Sequence, residues 1–148
     1  MSAKELSVND SDARKFNHNM IQLFEQLSVI YPNDHDIFTY RDKLTLLSKS
    51  NFKLPSEFFL KYAGKYVDQI MTCDDQFFLN SDDVISTDNP IYQELFNKII
   101  SLWKESSETV RSTIWKYMQV MLILAVKTHQ RTDLVDQLNQ YRKTPLVL

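Results

Sequence analysis

The stretch VRSTIWKYMQVMLILAVKT, residues 110–128, decides the fold. Val110, Ile114, Tyr117, Met121 and Leu124 fall on one face at alternating spacings of four and three, which is the helical period. Trp115, Met118, Leu122 and Ala125 repeat the pattern on a second face. A helix apolar on two faces belongs in the middle of a bundle, with other helices around it. The sequence therefore predicts an all-α fold, a single compact bundle of five or six helices with a hydrophobic central helix near residues 110–128.

Upstream and downstream segments carry narrower stripes that suit an outer layer. Phe16, Met20, Leu23, Leu27 and Ile30 make the first, with Asp10 or Ser11 expected as its N-cap and Pro32 as its stop. Asn33 or Asp34 is placed to cap a second helix striped by Ile37, Tyr40, Leu44 and Leu47. Pro55 opens a third, in which Phe59, Tyr62, Tyr66 and Ile70 place Gly64 in the helix interior, a site where close packing of a neighbouring helix is expected. Residues 72–89 show no sustained stripe, and Phe77, Phe78 and Leu79 form a short apolar plug. Asn89 and Pro90 start a helix through Ile91, Leu95, Ile99 and Leu102, Ser106 and Ser107 cap the central helix, and Thr132 to Tyr141 forms the last. The expected organisation is a flexible N-terminus over residues 1–9, one helical domain over 10–143 and a C-terminal tail over 144–148.

Composition narrows the chemistry. The 148 residues include a single glycine, where average usage would give about ten. A P-loop, a dinucleotide fingerprint and a nucleophile elbow all need glycine at a close approach or a positive φ, so none can be written here. Phe, Tyr, Met, Ile, Asn and Lys number 52 against 14 for Gly, Ala, Arg and Pro, a balance that follows AT-rich codons. Glycine scarcity thus reflects coding bias as well as fold. Cys73 is the sole cysteine, which excludes an intrachain disulfide and suits a reducing compartment. No apolar signal region occupies residues 1–12, and the longest apolar run, residues 120–126, is far below the roughly 20 residues a spanning helix needs. An intracellular protein without membrane insertion is expected, not a secreted one.

Candidate chemistry is sparse. His18, His35 and His129 are too scattered for a zinc motif, and no metal or cofactor is expected. Asp34-His35-Asp36 has the residue types for acid–base work but sits at a helix start, where the dipole favours carboxylates. Cys73 precedes Asp74 and Asp75, whose charge disfavours a thiolate. Asp74, Asp75, Asp82 and Asp83 resemble a calcium loop in composition only, since its central glycine and terminal glutamate are absent. No catalytic residue is assigned, and a non-enzymatic role is expected.

Charge distribution offers more. Seven acidic residues and no Lys or Arg lie between Tyr66 and Asn97, whereas six basic and two acidic residues lie between Arg111 and Leu148, in a chain of net charge −2. Asp74, Asp75, Asp82 and Asp83 with Phe77 and Phe78 are the candidate contact residues on the acidic side, and Lys127, Arg131, Arg142 and Lys143 on the basic side. Complementary patches suit head-to-tail self-association or a basic partner. With a pI near 5.9, nucleic acid is the weaker reading, open only to the C-terminal basic strip. Phe77, Phe78 and Trp103 are the aromatics whose exposure would mark an interface.

Tyr31-Pro32-Asn33-Asp34, Pro55 with Phe58, Phe59, Tyr62 and Tyr66, Asp75-Gln76-Phe77-Phe78-Leu79, Leu102-Trp103 and Ile114-Trp115-Lys116-Tyr117 together resemble small helical proteins of nucleocytoplasmic large DNA viruses, over residues 16–126. Their genomes are often AT-rich. The resemblance implies a viral protein of the host cytoplasm or the virion, and transfers no catalytic residue. The expectation is a protein–protein interaction component of a large DNA virus particle. A host-directed binder that takes a cellular amphipathic helix into an apolar groove is the alternative.

Overall fold

Pro32 stops the first helix and Asp34 starts the second, a local signal that sets the first corner of the chain. In the computed structural model, which describes residues 3–80 and 90–148 with side chains from Asp10 onward, α1 (Ala3–Ile30) precedes that corner and α2 (His35–Ser50) follows it. The Asp34 side chain accepts from the Asp36 backbone N–H as N-cap. Its carboxylate also accepts from Lys98 Nζ at 2.7 Å. The Asp34-His35-Asp36 run is thus a helix start tied to a lysine. Helix α1 begins upstream of the expected start, so Asp10 and Ser11 lie within it and cap nothing.

The third helix departs from its expected course. Helix α3 (Leu54–Ala63) ends at Gly64, and a separate short helix, α4 (Val67–Met71), follows. The apolar spacing runs through the break because Tyr62, Tyr66 and Ile70 all still face the interior side, so periodicity alone does not register it. Glycine's poor helix propensity does. The tight contact at Gly64 is with its own helix, not with the neighbouring helix expected: a Cβ there would lie 2.7 Å from the Leu60 carbonyl oxygen, while Leu134 Cδ1, at 3.4 Å, is at ordinary van der Waals distance.

Helix α5 (Gln76–Leu79) is one turn; α6 (Pro90–Glu105), α7 (Glu108–Thr128) and α8 (Thr132–Asn139) complete the eight helices among the described residues, with no strand. Pro90 opens α6 as expected, while Asn89 lies outside the described residues. Ser107 caps α7 by accepting from the Val110 N–H. Helix α7 packs against α1, α3, α4, α6 and α8, which makes it the central helix. Its buried face comprises Ile114, Trp115, Met118, Met121, Leu122, Leu124, Ala125 and Val126, while Val120 stays exposed. Six of the helices have eight residues or more, in line with the five or six expected.

Long-range polar ties fix the direction of α1 on α7. Lys127 Nζ reaches Asp12 at 3.4 Å, Gln26 Nε2 donates to the Tyr117 hydroxyl at 2.7 Å, and Tyr31 meets Ser106 at 2.8 Å. Ascending residues on one helix meet descending ones on the other, so the pair is antiparallel. Buried side chains from every helix form one core. The tail is held too: Asn139 donates through Nδ2 to the Leu146 carbonyl at 3.0 Å and accepts from the Leu146 N–H at 2.8 Å.

Two helix ends show how this chain manages with one glycine. After α4, the Asp74 N–H reaches the Gln69 carbonyl at 2.8 Å and the Cys73 N–H the Ile70 carbonyl at 3.3 Å. After α7, the Arg131 N–H reaches Val126 at 3.1 Å and the Gln130 N–H reaches Lys127 at 3.3 Å. Both patterns are Schellman motifs, whose left-handed residue is usually glycine. Here that residue is Cys73, at φ 54°, and Gln130, at φ 51°.

Candidate functional site

The corner between α4 and α5 displays the acidic residues singled out in the sequence. Its shape is set from both sides. The Schellman turn at Cys73 reverses the chain after α4, and Asp74 Oδ1 then accepts from the Gln76 N–H at 3.0 Å, starting α5. Phe77 and Phe78 anchor that single turn in the core. The Phe78 ring stacks on Trp103 at a centroid distance of 4.6 Å and meets Trp115 at 4.8 Å and 61°. Offset-stacked and edge-on aromatic pairs add about 0.5–1.5 kcal/mol each beyond burial. Asp74, Asp75 and Leu79 are left exposed on the outside of the corner.

Phe77 and Phe78, 5% and 0% exposed, fold against the core as the apolar plug read in the sequence and are not the contact residues also put forward there; Trp103, at 1%, is equally interior. The single turn of α5 points both rings inward and leaves Gln76 and Leu79 on its outer side. Asp82 and Asp83 lie outside the described residues.

Two depressions flank the corner. The larger, about 370 Å³, is lined by Cys73, Asp75, Glu108, Arg111, Ser112, Trp115, Lys116 and Gln119. The smaller, about 160 Å³, is lined by Tyr62, Tyr66, Gln69, Asp74, Gln76, Phe77 and Asn80. Asp74 and Asp75 thus line different clefts.

In the larger cleft, Arg111 is already engaged. Its guanidinium lies over the Trp103 ring at 4.1 Å, Nε donates to the Trp103 carbonyl and Nη2 to the Lys104 carbonyl, each at 2.9 Å. It closes the C-terminus of α6, where the orphan carbonyls and the helix dipole both favour a cation. The Cys73 thiol is pushed up by partial burial first and by Asp75 second, against a weaker opposing hydrogen bond from Gln119 Nε2 at 3.4 Å. A thiol held protonated is a poor nucleophile.

The basic residues of the C-terminal segment are largely committed within the chain. Lys127 pairs with buried Asp12, and Arg131 grips Asp133 through Nε at 2.9 Å and Nη2 at 2.8 Å. Arg142 Nε donates to the Thr144 carbonyl at 3.3 Å, and Lys143 is exposed. Helix α4 packs on α8, and Asp68 accepts from the Tyr141 hydroxyl at 2.5 Å. The acidic and basic segments therefore meet inside one molecule, and the continuous strip of four free cations expected from the sequence does not form.

One pairing could not be anticipated from the sequence. Ser56 Oγ lies 2.9 Å from His129 Nε2, across 73 positions of chain. Serine beside histidine is the element of nucleophilic catalysis. Here, however, Ser56 is fully buried and its hydroxyl proton has an acceptor in the Lys53 carbonyl at 3.0 Å, which leaves His129 Nε2–H to donate to Ser56. The pair joins the start of α3 to the end of α7. Burial is the main cause that lowers the His129 pKa below 6.5. His18 and His35 are exposed, apart from this pair.

Among the described residues no group of three or more His, Cys, Asp or Glu side chains could hold a metal ion, and no helix is long and apolar enough to cross a membrane. Comparison of the chain with protein-family models, with curated proteins and with solved structures gives no match.

Proposed function

We propose that this protein is a non-enzymatic interaction domain that presents the α4–α5 corner to a basic surface of a protein partner. The observation that carries the reading is the corner itself: Asp74 and Asp75 stand exposed on a backbone fixed by a Schellman turn and by two buried rings, with a cleft on either side. A rigid display lowers the ordering cost of binding. Among the described residues, Lys127, Arg131 and Arg142 of the basic segment are held in internal ties, whereas Asp74 and Asp75 stand exposed as a point of electrostatic contact. A second copy of the chain offers little to them, because Lys127 and Arg131 are paired in place. A different, basic protein is the better partner.

The viral resemblance adds the setting, assembly of a large DNA virus particle. Mass spectrometry of purified particles tests that setting, and affinity capture with the Asp74→Lys/Asp75→Lys double variant tests the surface. Capture should fall sharply with the charge-reversed corner; undiminished capture would move the contact elsewhere. The reading as a receptor for a host amphipathic helix has less behind it. The cleft beside α7 carries Asp75, Glu108, Arg111 and Lys116, with Trp115 its main apolar wall, whereas helix-in-groove recognition needs an apolar floor. Nucleic-acid association through the C-terminal strip is weakened by the same internal pairing of Lys127 and Arg131.

A further inference from the structure

We draw no further inference here: the strongest candidate, the cleft of about 370 Å³ between the α4–α5 corner and helix α7, belongs to the interaction surface already proposed, and among the described residues its Arg111 is spent on the Trp103 and Lys104 carbonyls and no buried polar side chain without a partner lines it to say what it would hold.

Discussion

Replacing Cys73 with glycine should make the protein more stable, although glycine normally does the opposite. Cys73 holds the left-handed position of the Schellman turn after α4, at φ 54°. A side chain bearing Cβ costs about 1–2 kcal/mol in that conformation. Glycine removes the cost and brings back about 0.5–1 kcal/mol through its greater freedom in the unfolded chain. Among the described residues the side-chain bond lost is the one from Gln119 Nε2 to Sγ at 3.4 Å, and Gln119 keeps the Ile70 and Met71 carbonyls at 3.2 and 3.3 Å as acceptors. The net gain is about 0.5–1 kcal/mol, or about 2–3 °C in Tm for a chain of this size. Urea unfolding followed by far-ultraviolet circular dichroism and by the fluorescence of buried Trp103 and Trp115 measures it, with coincidence of the two probes checking two-state behaviour. Cys73→Ala is the control, since it deletes the thiol and retains Cβ. Should Cys73→Gly be no more stable than Cys73→Ala, the left-handed strain is not what limits this turn. Gln130→Gly, at φ 51° in the matching turn after α7, relieves the same strain but should gain less, because it also loses the hydrogen bond from Gln130 Nε2 to the Lys127 carbonyl at 2.9 Å.

Gly64→Ala should act in the reverse sense, because the new Cβ would meet the Leu60 carbonyl oxygen at 2.7 Å, a backbone atom that cannot swing aside. A loss of about 1–3 kcal/mol in urea titration is expected, and a stabilised variant would contradict the close approach. Tyr92→Phe should be neutral or stabilising by up to about 1 kcal/mol, since the Tyr92 hydroxyl is buried without a hydrogen-bond partner among the described residues, and burial pushes its pKa up to about 12. A clear loss of stability would reveal a partner for that hydroxyl. His129, lowered by burial, binds a proton less readily folded than unfolded, so its contribution to stability is complete above pH 6.5 and is lost as pH falls from there through its folded pKa. His129→Gln should flatten the pH dependence of unfolding in that window, where Asp34 and Asp133, held low by Lys98 and Arg131, remain ionised.

Much of the fold was legible because helices are local objects. The two apolar faces of residues 110–128, the Pro32 stop, the Asp34 and Ser107 caps and the opening Pro90 each depend on residues within one or two turns, and each is where the sequence placed it. Of the candidate site, Asp74 and Asp75 were legible as charges because charge is carried by the residue itself. The direction in which Phe77 and Phe78 point was not, since a single turn has too few residues for a period to declare its buried side.

The sequence by itself thus determined an all-α chain, its central helix and the absence of the glycine motifs that bind phosphate. Tertiary structure alone decided which charges are free and which rings meet. Lys127 finds Asp12, Ser56 finds His129, and Tyr62, Tyr66 and Phe77 close a cleft only after the chain turns at Gly64 and again at Cys73. The physical reason is separation along the chain: period and capping are settled between near neighbours, whereas an ion pair or an aromatic wall is settled by how whole helices pack.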